Sequence, residues 1–513
     1  MMLAPLQNNS AKRQTAKSSS VPAPVKGLNS KDSLADMDRD WAIELENFFP
    51  NLTSIDLRSG YASHSTVNGT TAVETLATWA GPSSQKLISA AGTVIYDASA
   101  AAAATSIATG KTNARWQTTM FGNAAGNFLY MVNGADAPIY YDGSSFTTPT
   151  LSSVTATDII GVITHQRRLF FVFNNSLTFG YLPVVSIAGT VSTFDIGGLC
   201  KKGGYIMALG SWTRDGGSGP DDVFVAITSE GEAVLYSGND PSSSTAWSYV
   251  GTFSIGKPIG RRCVEKVGAE LIVTTQDGAI PLSIFLPIDQ VGARGKALSD
   301  SIQNDFLTAS RSYGSNFGWQ SIHYPQGSYA LFNVPITGTT AIQYVVNTQT
   351  GAWCKFSNMN ASSWALYNGD LYFGGQGGIV YKADTGTNDN GADINWKIKP
   401  AFNYFGSRGV NKLFSMCRPH FTSNGSPNFA IDLNVDFSNK IPTSIPTASP
   451  LTGALWDTAL WDTDVWSDTT EIADWLTVTG FGDCASPVIR GGNQGLTISM
   501  SAYDMIYQQG NVL

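Results

Sequence analysis

The chain has 513 residues with 31 basic and 39 acidic side chains, a net charge of −8, and 14% charged against 42% hydrophobic residues. A charge content well below the roughly 25% of ordinary soluble domains, with this much apolar material, excludes a disordered chain and supplies cores for about two to four domain-sized units. The longest apolar runs, LFFVF at 169–173 and PLSIFLPI at 281–288, have strand length and fall short of the ~18 residues of a membrane-crossing helix, so no membrane span is expected.

Charge is unevenly spread. Residues 1–31 carry Lys12, Arg13, Lys17, Lys26 and Lys31 and no acid, a charge of +5, which leaves −13 on the rest of a chain whose net charge is −8. This Ser-, Ala- and Pro-containing stretch has no apolar periodicity, and residues 1–30 are expected to be a flexible basic arm that orders only against a partner. It also lacks the apolar core of a secretory signal, which predicts folding in a cytoplasm. Residues 31–60 then begin a platform segment, within which SLADMDRDWAIELENFF (33–49) reads as a helix.

From 61 to 385 a short β-rich run, a Gly- or Asn-containing turn and a second run recur. The pattern appears at 86–99, 127–143, 168–183, 223–238, 270–283, 344–356 and 370–384. β-Branched and aromatic residues suit pleated strands, and NG, EG, DG and TG supply the positive φ of tight turns, so each segment predicts a hairpin. Hairpins repeated along one chain predict a mainly β fold with a β-propeller body and few helices, because radially arranged antiparallel sheets bury both faces and leave few edges. A pair of β-sandwiches would give similar local patterns. A second helix is predicted at 297–313, where Leu298, Ile302, Phe306, Ala309 and Tyr313 share one face.

The composition shifts from 386 to 513, where alternating strands such as NFAIDLNVDF (428–437) and GLTISMSA (495–502) predict a separate β-rich platform or interface domain. Between them a Pro-rich linker leads to Trp456, Trp461 and Trp466, spaced by five. That period fits neither strand nor helix. Exposed Trp would make interface anchors, although the same rings could cap the domain's own core.

Motifs for chemistry are few. GKT at 110–112 lacks the first P-loop glycine, whose place Thr105 takes. The five cysteines, Cys200, Cys263, Cys354, Cys417 and Cys484, lie far apart, which predicts reduced core thiols rather than a disulfide framework or zinc knuckle. No zinc spacing is present, so no catalytic, cofactor or metal residues are nominated and no enzyme is expected. Asp215, Asp221 and Asp222 lack EF-hand spacing and read as a solvated turn. Three basic doublets, Arg167–Arg168, Lys201–Lys202 and Arg261–Arg262, are the candidates for facing phosphate, each weighed against one member simply meeting a neighbouring carboxylate.

One ordered series of strings carries a resemblance: GLNSKDSLADMDRDWAIELENFFP (27–50), LRSGYASH (57–64), VNGADAPIYYDG (132–143), KKGGYIMALGSWTRDGG (201–217), TSEGEAVLYSGNDPSS (228–243), GKPIGRRC (256–263), NFGWQ (316–320), VNTQTGAWCKF (346–356) and LWDTALWDTDVW (455–466). In this order they resemble the tail nozzle or hub proteins of short-tailed bacteriophages, also called tail tubular protein B. The resemblance implies a virion tail protein, assembled in the host cytoplasm into a homo-oligomeric ring, expected to be a hexamer. Such a ring meets a head-to-tail adaptor ring and tail fibre or spike proteins, and double-stranded DNA passes through it without sequence-specific contact. It also implies a propeller with a platform built from terminal regions, and a gate of channel-facing loops. Arg214, Asp215, Gly216, Gly217, Asp221 and Asp222 are the gate candidates, since the glycines free the backbone and the acids repel phosphate. Two other classes stay open: a tail-associated glycan-binding adhesin, which needs an aromatic-lined pocket, and a propeller hydrolase of polysaccharide or peptidoglycan, which needs a carboxylate pair.

Overall fold

The computed structural model describes residues 15–67, 69–213, 222–285, 297–442 and 470–510. The gate candidates Arg214, Asp215, Gly216, Gly217 and Asp221, and the interface candidates Trp456, Trp461 and Trp466, lie outside the described residues. The chain divides into two compact units, one formed mainly by residues 58–394 and the other by the segments before and after it.

The larger unit is a β-propeller. Seven antiparallel sheets follow one another among the described residues, and their first strands are Val73–Ala80, Gln117–Asn123, Ile159–His165, Ile206–Trp212, Val264–Val267, Gln320–Tyr324 and Ser363–Tyr367. Each of these inner strands packs on the next, and the seventh packs back on the first, so they close a ring. We number the blades one to seven in that order. All seven hairpins predicted from sequence form, one in each blade. The ring is closed by the chain's own early segment: Tyr61–Thr66 pairs antiparallel with Ile379–Ala383 to give blade seven its fourth strand.

Apolar residues lie between blades, because each sheet has a neighbour on both faces. Phe170, Phe179 and Tyr181 of blade three pack with Phe224, Tyr236 and Trp247 of blade four in one such core. Tyr130 of blade two joins Phe171 of blade three in the next. Burying side chains of this size stabilises by about 1.5–3 kcal/mol each, which makes the inter-blade seams the main source of cohesion. The helix predicted at 297–313 is present as Gln303–Tyr313, with Phe306 and Ala309 buried on its inner face and Ile302 buried just before its first turn. The five cysteines are free thiols, four of them buried.

The other unit is a β structure drawn from both ends of the chain. Its longest strands, Lys412–Ser423 and Ile498–Gln509, pair along their length, and Trp41–Glu46 pairs with Ile394–Pro400. Trp396 is buried in it, edge-on to Phe48 at 5.2 Å, and donates its indole N–H to Asn493 Oδ1 at 2.8 Å. Two expectations are corrected here. The segment 33–49 is not helical: Trp41–Glu46 and Phe48–Pro50 are strands, because ladder partners elsewhere in the chain outweigh the weak helix preference of Leu, Ala and Glu. Nor is the basic arm free along all of residues 1–30. Lys17–Pro22 pairs with the outer side of Ile498–Gln509, Lys17 opposite Tyr507 and Pro22 opposite Ala502, and Val21 and Ala23 are buried. The exposed ladder of that long strand supplies the hydrogen-bond partners that the arm lacks by itself. Among the described residues, no helix is long and apolar enough to cross a membrane.

Candidate functional site

The inner strands of a propeller surround its axis, so side chains that point inward from them decide whether the axis is open. Here it holds a cavity of about 230 Å³, lined from six blades by residues that include Thr75, Gln117, Gly161, Met207, Glu265 and Gln320. A wider cavity of about 580 Å³ adjoins it where the inner strands begin, and its wall includes Asn113, Arg115, Asn133, Arg261, Phe317 and Trp319. Arg261 and Arg262 border both cavities.

Arg262 is fixed by neutral acceptors. Its guanidinium donates to the Glu74 carbonyl at 3.0 Å, Thr75 Oγ1 at 2.9 Å, the Trp116 carbonyl at 3.0 Å and Gln320 Oε1 at 3.4 Å. Burial pulls its pKa down to about 10, with only the charge of Glu74 opposing the drop, so it remains a cation at neutral pH. Arg115 donates from Nε to Glu74 Oε1 at 3.0 Å. The Arg115 and Arg262 guanidiniums lie over the same Phe317 ring, at 4.3 and 5.4 Å from its centroid, a cation–π arrangement that holds both without neutralising either. Arg261 is exposed to the cavities and has no hydrogen bond or ion pair among the described residues. Desolvation lowers its pKa as well, which fits a guanidinium facing enclosed water rather than bulk solvent.

Glu265, three residues after Arg262, lines the axial cavity. Burial raises its carboxyl to about 7, and the His323 main-chain N–H, which donates to Oε1 at 3.0 Å, opposes the rise only in part. Although Glu265 retains partial exposure, the water that it meets is confined by six blades, so the loss of hydration dominates. The axial end therefore gathers three arginines, one ion-paired Glu and a carboxyl that titrates near neutrality. As a chemical device it can hold an anion.

The other doublets are placed apart from this cluster. Arg167 and Arg168 follow the inner strand of blade three, whereas Arg261 and Arg262 precede that of blade five, so the two doublets sit at opposite ends of their inner strands. Arg167 is in the turn, with φ of 61°, and Arg168 pairs with Asp240 at 3.0 Å. Lys201 and Lys202 lie in the connection to blade four; their main-chain N–H groups donate to the Glu232 carboxylate at 3.1 and 3.0 Å, and Lys202 Nζ donates to Ser254 Oγ at 2.6 Å. Asp222, the one gate candidate among the described residues, is buried just before the strand Val223–Thr228. Sequence reasoning nominated Arg261 and Arg262 as a doublet and missed Arg115, Phe317 and Glu265. An acid inside the short inner strand VEKV was a visible signal for Glu265; nothing local announces Arg115 or Phe317.

No protein-family model matches the chain, and no curated protein matches its sequence. Among solved structures it is similar to "YCF48 bound to D1 peptide", at 11% identity with a TM-score of 0.38 over 62% of this chain and 94% of that one. It is similar also to the "WD40 beta propeller domain of Doa1", at 10% identity with a TM-score of 0.39 over 63% of this chain and 96% of that one, and to the computationally designed Ika8 protein, at 9% identity with a TM-score of 0.36 over 63% of this chain and 100% of that one.

Proposed function

We propose that this protein is a structural subunit of the tail of a short-tailed bacteriophage, one copy in a ring of about six that continues the DNA-ejection channel below the portal and adaptor rings. The observation that carries the reading is the chain's connectivity. A complete propeller, residues 58–394, is inserted into a β unit that both chain ends build together, the arrangement that the resemblance of the ordered strings implies. The smaller unit would meet the adaptor ring, and fibre or spike proteins would attach to the ring.

The size of the axial cavity decides where DNA would pass. At about 230 Å³, and bordered by Arg262 and Trp116, it is within the range of a small-molecule pocket or below, so a duplex cannot thread the propeller itself. The conduit would lie between copies. An acidic body suits such a wall, since every phosphate neutralised adds salt-dependent affinity and would slow the moving duplex.

Mass photometry of the purified chain, alone and with an adaptor ring, tests the assembly. A closed species of about six copies is the expected result. A monomer or a trimer in both conditions would favour the adhesin class, and turnover of cell-wall polysaccharide would favour the hydrolase.

A further inference from the structure

We propose that the 580 Å³ cavity at the entry end of the propeller axis is a binding site for the phosphate group of a small molecule. The inference stands on the cavity and does not depend on the conduit reading. Three guanidiniums, those of Arg115, Arg261 and Arg262, border it, against one carboxylate among the described residues in direct contact with any of them, Glu74 on Arg115. Positive charge therefore exceeds negative charge in a space partly closed to water, where an anion is attracted more strongly than at a surface.

The donors are also arranged for phosphate rather than carboxylate. Arg262 spends its N–H groups on main-chain and side-chain oxygens and acts as a fixed charge. Arg261 has its whole fork free among the described residues, and the terminal nitrogens of Arg115 have no partner there. Two forks offer more N–H groups than the two oxygens of one carboxylate accept in plane, while the terminal oxygens of a phosphate ester can take both. Arginine is the residue best suited to that geometry, and stacking of Arg115 on Phe317 at 4.3 Å limits the freedom that it would lose on binding. The volume lies in the range of small-ligand pockets, so the phosphate can bring an organic group with it.

Isothermal titration of the full chain with inorganic phosphate, a nucleoside monophosphate and citrate tests the proposal. Both phosphates are expected to bind and citrate to bind more weakly. Arg261→Ala should weaken phosphate binding at least tenfold and Arg261→Lys should restore part of it, while Arg167→Ala, at the other end of a different inner strand, should leave it unchanged. Equal melting temperatures for wild type and Arg261→Ala would establish that the variant folds. Absence of binding by the wild type at up to about 5 mM phosphate, binding unaffected by Arg261→Ala, or tighter binding of citrate would each overturn the proposal.

Discussion

Arg58 and Asp389, 331 residues apart in the chain, form a two-pronged ion pair: Nη1 donates to Oδ1 at 2.8 Å and Nη2 to Oδ2 at 2.7 Å, with both side chains 3% exposed. Arg58 precedes the strand Tyr61–Thr66 that completes blade seven, and Asp389 follows the strand Ile379–Ala383 on which it pairs. The pair thus ties together the two passages of chain that close the ring. Arg58 is held further by donation to the Ser59 and Ser357 carbonyls, both at 2.9 Å.

Removing one partner of such a pair leaves the other charge buried and uncompensated, which costs about 3–5 kcal/mol. Asp389→Ala is therefore expected to lower the thermal midpoint of the propeller substantially. Asp389→Asn, which keeps the shape and one acceptor, should cost less. Calorimetry of the two variants checks the order, and a midpoint unchanged in Asp389→Ala would refute the role given to the pair.

Two desolvated groups set opposite pH limits on stability. His165, buried between blades, has its pKa lowered by desolvation, which the Gly238 carbonyl and the charge of Asp222 offset only in part. Its unfolded form takes up a proton first as pH falls, so its stabilisation is complete above the ordinary histidine value of 6.5 and is lost as pH drops through that value toward the folded one. Glu265 behaves in reverse. With an ordinary value of 4.5 and a folded value of about 7, it contributes fully below 4.5, and that contribution is lost as pH rises to about 7. Glu265→Gln should then raise stability at pH 8 relative to wild type by roughly 1–3 kcal/mol and leave it nearly unchanged at pH 4. Urea melts across that range measure both limbs; a gain that is equal at the two pH values would contradict the assignment.

At the hairpin of blade four, Gly231 has φ of 79° and no room for a side chain, since a Cβ there would run into the Gly256 carbonyl. Gly231→Ala is expected to destabilise by more than the ~1 kcal/mol of a left-handed alanine alone, with the excess coming from displacement of the 256–257 main chain. Gly351, also at positive φ in the hairpin of blade six but with open space around it, provides the comparison: Gly351→Ala should cost only the conformational part. Equal losses in the two variants would show that the close approach at Gly231 has no energetic weight.

The propeller was legible in the sequence because each blade carries its own hairpin, and a hairpin is a local object. VFVAITSEGEAVLYSG becomes the second and third strands of blade four for reasons contained within those residues: β-branched runs flanking a glycine that must be left-handed. The closing strand was not legible, since nothing in YASHST names a partner at Ile379–Ala383 more than 300 residues away. The segment WAIELE misled for a related reason: alternating and helical readings of six residues are equally plausible until Ile394–Pro400 supplies a ladder. The cavity was half legible. The Arg261–Arg262 doublet stands out in a charge-poor chain, but Arg115, Phe317 and Glu265 gain meaning only when three separate blade entries converge on one axis.

Cryo-electron microscopy of the protein assembled with an adaptor ring would show whether the subunits enclose a DNA conduit. The expected result is a closed ring whose central lumen runs between propellers and is wide enough for a DNA duplex, with each propeller axis closed at the level of Arg262 and Trp116. Isolated subunits, or an assembly with no lumen between them, would contradict it.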